Sequence, residues 1–293
     1  MNTGKYIVIT SVDKNFLKIF GLWDIFFRRS DIDFKLHVAC FDNESKNYLE
    51  KRGIEHSNIN VRDYSSSLIW IHRLEIIRNF LKQGYSIIHS DLDAFWIHPE
   101  VKKIINPVYD MQMSIGHGLP KDIVKEWGFS LCCGFFILQS NDKMISFVEQ
   151  WLIRAKDLMD DQIALNSMFH KIGLVWERTD DLYNYSYSEK YHIKIEAIAY
   201  QKIARIARLG DVDAGKVVVF HPYLGRDRSE EIKLLDAVYM IKDMKKKSFL
   251  NNLYFKTLIH TIIFRKYKER KELRKFIRRL NIIDYLKARF RSL

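Results

Sequence analysis

Cysteine, proline and glycine are all scarce in this chain of 293 residues, and each scarcity closes off a class of protein. The cysteines number three, Cys40, Cys132 and Cys133. That is too few for a disulfide framework, and none stands in a paired zinc-binding spacing. Cys132 and Cys133 lie side by side in an apolar run, where free thiols behave as small buried hydrophobes. Four prolines and twelve glycines argue against a loop-rich repeat chain, and no fixed period recurs. No window reaches the ~18 uninterrupted apolar residues of a membrane span. The first ten residues lack a signal peptide's apolar core and carry a strand-length run instead. These absences predict an intracellular, reducing setting, cytoplasmic and without a spanning helix.

What is abundant is core material and, locally, positive charge. Hydrophobic residues make up 47% and aromatics 14%, enough to bury a sizeable core in one large domain. The formal net charge is +12, but it is not spread evenly. Of 48 basic and 36 acidic residues, 17 and 4 fall between Lys242 and Leu293, which leaves 31 against 32 before them. The body is therefore neutral, and the C-terminal tail holds the excess that a polyanionic partner would meet.

Hydrophobic periodicity places a strand at Tyr6–Thr10 and a helix over Lys14–Arg29, with Phe16, Leu17, Phe20, Trp23 and Phe27 on one stripe. A second strand is predicted at Lys35–Phe41, then a helix Glu44–Arg52 capped by Asp42 and ended by Gly53. A further helix spans Ile69–Gln83, and the strand Tyr85–Ser90 runs straight into Asp91-Leu-Asp93. Alternating strands and helices indicate βαβ units, so the predicted fold class is α/β with a mainly parallel sheet and helices on both faces. Downstream come a strand at Leu131–Gln139, a helix through Leu158 capped by Asn141 or Asp142, and a helix over Asp160–His170. Short strands are predicted at Leu174–Trp176 and Val217–Phe220, with irregular, tyrosine-rich chain over Asp180–Tyr200 between them. The domain boundary falls within 225–245.

Ligands of open α/β sheets gather beyond the carboxyl ends of strands, and the Asp91–Asp93 pair stands at one such end. In an extended stretch alternate side chains share a side, so both carboxylates would converge on one hard cation such as Mg²⁺ or Mn²⁺. A second Asp-x-Asp, Asp211 and Asp213, lies between Gly210 and Gly215 and reads as a solvated turn. Trp70, Trp96, Trp127 and Trp151 read as core, with Trp127, in the Gly116–Gly128 loop, the one placed to stack on a ligand.

Ser90-Asp-Leu-Asp-Ala-Phe-Trp96 followed by His98-Pro99 resembles the DxDxxW…P signature of the nucleotide-diphospho-sugar transferase family, whose members adopt the GT-A fold. Further elements follow in the family's order. The segment from Ile71 to Gly84, with Arg73 leading, resembles the helix before the DxD strand. Cys133-Gly-Phe-Phe-Ile-Leu138 resembles its N-x-G-F-F strand, Asp161-Gln-Ile-Ala-Leu-Asn166 its DQ…N segment, and Phe220-His-Pro222 the late histidine. The chain departs from the pattern where Cys132 and Cys133 stand near an expected Asn. It departs again after His221, where Arg226 or Arg228 would have to replace a missing Lys.

The resemblance implies a glycosyltransferase domain over residues 1–235 that takes a nucleotide-diphosphate sugar, UDP-linked, and passes the sugar to a saccharide or glycolipid acceptor with retention. It implies Asp91, Asp93 and His221 as ligands of Mn²⁺ or Mg²⁺. Asp161 and Gln162 would stand at the catalytic centre, and Thr10, Ser11, Arg73, Asp91, Asp93 and Gly134 on the donor. Two other readings use the same residues, an Asp-x-Asp phosphatase with the first Asp as nucleophile and an inactive membrane-bound scaffold. For the tail, 236–293, the apolar run Phe249–Phe264 followed by the basic cluster Arg265–Arg279 suits an anionic membrane surface. Large aliphatics interleaved with the cations argue against nucleic acid, and a helix packed on the domain is the plain alternative. A peripheral location on the inner membrane face and a lipid-linked or lipopolysaccharide-type acceptor follow from the membrane reading.

Overall fold

The computed structural model describes residues 5–30, 33–59, 66–96, 98–178, 184–204 and 217–221. The chain opens with β1 (Tyr6–Val12), a 3-10 turn over Lys14–Phe16, α1 (Leu17–Arg29), β2 (Lys35–Cys40), α2 (Asn43–Glu50) and β3 (His56–Asn58). Next come α3 (Ser66–Lys82), β4 (Ser86–Ser90), β5 (Phe95–Trp96), β6 (Met111–Gly116), α4 (Lys121–Trp127) and β7 (Ser130–Leu138). The described part closes with α5 (Asp142–Leu158), α6 (Asp161–Lys171), β8 (Glu177–Arg178), β9 (Asn184–Ser188), β10 (Ile193–Ala197), β11 (Ile203–Ala204) and β12 (Val219–Phe220).

Local chemistry sets several of these boundaries. Asp42, Asn141 and Asp160 each accept a hydrogen bond from a backbone N–H of the first turn of α2, α5 and α6, so each helix starts where a side chain satisfies an orphan donor. Gly84 follows α3 at φ +82°, a conformation that a side chain would strain.

The main sheet has nine strands in the order β3-β2-β1-β4-β7-β6-β10-β9-β8. β1, β2, β3 and β4 run together, and β6 is parallel to β10. β7 opposes both β4 and β6, and β9 opposes both β8 and β10. Only β7 and β9 thus run against the other strands, and the sheet is mainly parallel. Helices cover both faces. On β4, Ser90 accepts from the indole of Trp23 in α1, while the preceding His89 meets Arg73 of α3. Successive strand residues point to opposite faces, so α1 and α3 lie on opposite sides of the sheet. The core between the layers is rich in aromatics, with Trp23, Trp96, Trp151, Phe135, Phe136 and Phe147 fully buried.

Three sequence expectations change. The 180–200 stretch is not irregular where it is described: Asn184–Ser188 and Ile193–Ala197 pair as an antiparallel hairpin next to the edge strand β8. The strand expected at Leu174–Trp176 falls instead at Glu177–Arg178. Residues 116–128 are not a plain loop, because they hold α4, which Gly128 ends at φ +83°. The boundary at 225–245, the tail 236–293, the pair Asp211 and Asp213, and Arg226 and Arg228 lie outside the described residues. Among the described residues no helix is long and apolar enough to cross a membrane.

Candidate active site

A second, three-stranded sheet builds the site. Its order is β11-β12-β5, and β5 follows directly on the Asp91–Asp93 segment. β12 pairs antiparallel with β5, Phe220 opposite Phe95. One residue further along β12 is one residue further back along the partner, so His221 emerges beside Ala94 and Asp93. The Nε2 of His221 stands 3.1 Å from Asp93 Oδ1. Asp91, Asp93 and His221 each offer one ligand atom, and these atoms lie within 4.8 Å of one another.

The carboxylates converge by a different route from strand alternation. Residues 91–94 are not extended: Ala94 N–H donates to Asp91 C=O at 3.0 Å, closing a tight turn. Ser90 anchors that turn from below. Its hydroxyl accepts from the indoles of Trp23 at 3.1 Å and Trp96 at 3.0 Å, and its proton faces the carbonyls of Asp91 and Ala94.

From the other side β7 presses in. Met113 of β6 lies opposite Phe136, but Ser114 lies opposite Cys132, so Cys133, Gly134 and Phe135 face no β6 residue and bulge. The bulge carries Gly134 C=O to Asp91 N–H at 2.7 Å. Gly134 also lies against the imidazole of His221, since a Cβ there would stand 2.0 Å from Cε1. The glycine is required by close approach, which its expected place beside a sugar donor did not foresee.

Asn166 secures the base of the bulge. Its amide donates to Leu131 C=O and accepts from Leu131 N–H, at 2.8 and 2.9 Å. Gln162 of the same helix accepts from Cys133 N–H at 3.2 Å and donates to Leu119 C=O at 3.0 Å. The amide of Gln162 therefore bridges the bulge to the chain ahead of α4. Trp127 is half-buried in an aromatic cluster with Phe129, His170 and Trp176.

Arg73 links the two halves of the site. Its Nη1 donates to Asp91 Oδ1 at 2.8 Å, and its Nε donates to Asp161 Oδ2 at 2.7 Å, with Nη2 closing on the same Asp161 oxygen. The two aspartates at the start of α6 divide the work. Asp160 caps the helix, and Asp161, 2% exposed, takes Arg73. Asp161 Oδ1 has no hydrogen bond among the described residues.

Burial and shared charge set the protonation states. The Arg73 guanidinium beside Asp91 holds its carboxyl well below the usual range. Asp161 goes the other way. Burial, only partly countered by Arg73, pushes it up to about 6, with repulsion from Asp91 adding to the rise. Burial and the neighbouring guanidinium bring His89 down to about 4, so it is neutral at pH 7. Burial also pushes the Cys133 thiol up, which keeps it protonated at neutral pH.

Thr10 and Ser11 separate. Ile9 is in register with His89 across β1 and β4. Ser11, two residues on, shares the His89 and Arg73 side of the sheet, while Thr10 takes the α1 side. Neither hydroxyl has a hydrogen-bond partner among the described residues. An unpaired buried hydroxyl is uncommon and marks a place where a ligand or water completes the set.

A metal fits this donor set. Two carboxylates and an imidazole converge, and one oxygen each of Asp91 and Asp93 is left without a hydrogen bond among the described residues. An O, O, N set of this kind can hold a divalent ion and leave further coordination positions open.

Comparisons with known proteins bear on the fold and the family. The galactosyltransferase LgtC, solved in complex with donor and acceptor sugar analogues, superposes with a TM-score of 0.52 at 12% identity. The match covers 83% of this chain and 97% of that one, and it shows the fold. An uncharacterised Arabidopsis thaliana protein is 26% identical over 114 residues, 36% of this chain and 32% of the relative. A Dictyostelium discoideum UDP-galactose:fucoside alpha-3-galactosyltransferase is 24% identical over 118 residues, 39% of this chain and 18% of the relative. The matches thus span a third or less of those two proteins. The nucleotide-diphospho-sugar transferase profile matches residues 33–203, from β2 through the first residue of β11, so every core element of the site except β1 and the His221 strand lies inside it. With a GT-A architecture and that match over more than half its length, the chain belongs to the nucleotide-diphospho-sugar transferase family.

Proposed function

We propose that the chain transfers a sugar from a UDP-linked donor to a saccharide or glycolipid acceptor, with Mn²⁺ or Mg²⁺ held by Asp91, Asp93 and His221. The observation that carries this reading is the convergence of those three side chains at the carboxyl end of β4, where the sheet of this fold takes its ligand. A bound divalent ion would supply Lewis-acid neutralisation of the diphosphate leaving group. The chain's own residues do the rest. Arg73 fixes Asp91 and Asp161 at one spacing, and the free oxygen of Asp161 is available to a sugar hydroxyl. Gln162, whose amide bridges Cys133 N–H and Leu119 C=O, would face the anomeric centre in a retaining transfer. Ser11, on the Asp91 side of β1, offers its unpaired hydroxyl to the nucleotide, and Thr10 supports the strand end behind it.

The UDP preference leans on the named activity of the Dictyostelium relative. The tail, with its apolar run and basic cluster, would hold the enzyme on the anionic inner face of a membrane, where a lipid-linked acceptor is presented. Turnover of UDP-sugars with Mn²⁺ in the presence of glycan and glycolipid acceptors tests the reaction. A product seen with wild type and lost in Asp91→Asn and Asp93→Asn supports it, whereas equal turnover by those variants removes the proposed site.

A further inference from the structure

Strand β4 carries an ionisable side chain where an apolar one would suit the sheet. His89 lies between Ile88 and Ser90, is 1% exposed, and rests on the ring of Phe136 at 4.8 Å between centroids. A buried imidazole is costly unless its nitrogens are bonded. Its Nε2 is 2.9 Å from Arg73 Nη1 and 3.1 Å from Asp91 Oδ1, and Nη1 is 2.8 Å from that same oxygen. These three atoms form a closed triangle.

Hydrogen bookkeeping settles how the triangle is wired. Nη1 carries two hydrogens and no lone pair, so it can donate one to Asp91 Oδ1 and one to His89 Nε2. A proton on Nε2 would face the hydrogens of Nη1 across 2.9 Å. With the ring proton on Nδ1, which has no hydrogen-bond partner among the described residues, Nε2 is left as the acceptor for Nη1. A guanidinium has five N–H donors. Asp91 takes one, His89 one and Asp161 two, which leaves one N–H, on Nη2. Without His89 the second Nη1 hydrogen has no acceptor among these groups, and the guanidinium that joins Asp91 to Asp161 keeps three of its four contacts, losing the one on its Asp91 side that does not itself come from a carboxylate.

We propose that His89 is a positioning residue for the transfer reaction, holding the Arg73 guanidinium in the one orientation that spans Asp91 and Asp161. The residue acts through Arg73 and touches neither donor nor acceptor. This inference rests on the reading of the site given above. It goes beyond that reading in assigning a role to a strand residue outside the DxD motif.

The test compares His89→Leu, which fills the space without an acceptor, with His89→Gln, whose side-chain oxygen can fall where Nε2 stands. Mn²⁺ alone is titrated into each full-length protein by calorimetry, and UDP-galactose turnover is followed separately. Loss of a partner that orients a metal carboxylate typically weakens metal binding 10–100-fold. His89→Leu is expected to lose about tenfold in Mn²⁺ affinity and to lower kcat more than it raises KM, with His89→Gln recovering most of both. In an Arg73→Lys background, His89→Leu should add little, because the fork it positions is gone. Should His89→Leu fail to fold, His89→Asn takes its place, since its shorter amide stops at the Nδ1 position and should fall with Leu. Wild-type Mn²⁺ affinity in the Leu or Asn variant, or equal losses in those and Gln, overturns the proposal. Failure of the wild-type protein to bind Mn²⁺ at all would instead count against the metal site itself.

Discussion

Replacing Gly134 by alanine adds one methyl group at the point where the β7 bulge meets His221, the proposed third ligand. A Cβ at this position would lie 2.0 Å from His221 Cε1 and 2.8 and 2.9 Å from its two ring nitrogens. Carbon atoms rest at about 3.5 Å, so the ring has to retreat by roughly 1.5 Å. Metal–ligand distances tolerate only about 0.2 Å, so a displacement of that size removes His221 from the coordination set while leaving the two carboxylates. The bulge cannot absorb the change easily, since Gly134 C=O is bonded to Asp91 N–H and Gln162 holds Cys133 N–H. Mn²⁺ affinity should fall about 10–100-fold. Calorimetric or paramagnetic titration of Mn²⁺ measures it, with circular dichroism confirming that the fold persists. His221→Ala should lose a similar amount, and the double variant should be no worse than either single one, because both remove the same ligand. A folded Gly134→Ala protein that binds Mn²⁺ as wild type does would refute the assignment of His221 as a ligand.

Two further outcomes follow from the same geometry. Ser90→Ala deprives the buried indoles of Trp23 and Trp96 of their shared acceptor, at about 1–3 kcal/mol per orphaned N–H; denaturant unfolding should show the loss, and an unchanged midpoint would deny the hydroxyl its anchoring role. In metal-free protein Asp161, with its carboxyl raised to about 6 from 3.8, keeps a proton that the unfolded chain releases. Its contribution is therefore full below about pH 4 and is lost as pH rises through 6, by up to about 3 kcal/mol at 1.36 kcal/mol per unit. Stability curves of wild type and Asp161→Asn between pH 4 and 7 should diverge in that sense, and parallel curves would contradict the raised carboxyl.

How far the fold could be read from the sequence depended on whether polarity and burial coincide. They do in β1, β2, β4 and β7, whose apolar runs are buried, and in α5, whose Met144, Phe147, Val148, Trp151 and Leu152 make a buried stripe. They do not in β9. Asn184, Ser186 and Ser188 point inward there while Tyr187 is 45% exposed, so a pattern of tyrosines and small polar residues conceals a strand. β6 also went unpredicted, because Gln112 and Ser114 are buried polar members of an otherwise apolar strand. Within the site, the pairing of Asp91 with Asp93 and the late position of His221 were legible as residue types in order. Gly134 was legible only as a motif member, since its need to be glycine comes from a ring 87 positions later in the chain. The turn at 91–94, the Ser90 anchor and the sharing of Arg73 depend on long-range contacts that no local pattern encodes. That Asp160 caps α6 while Asp161 takes Arg73 could not be read from two adjacent aspartates.

The central claim is that Asp91, Asp93 and His221 together hold a divalent ion against a nucleotide-diphosphate sugar. Thermal unfolding of wild type and Asp93→Asn with UDP-galactose, each with and without Mn²⁺, tests it most directly, because a ligand that binds only the folded state raises the midpoint by mass action. The account predicts a rise for wild type that requires both Mn²⁺ and the UDP-sugar, and little or none for Asp93→Asn. The same rise in Asp93→Asn, or a full rise in wild type without the metal, would contradict it.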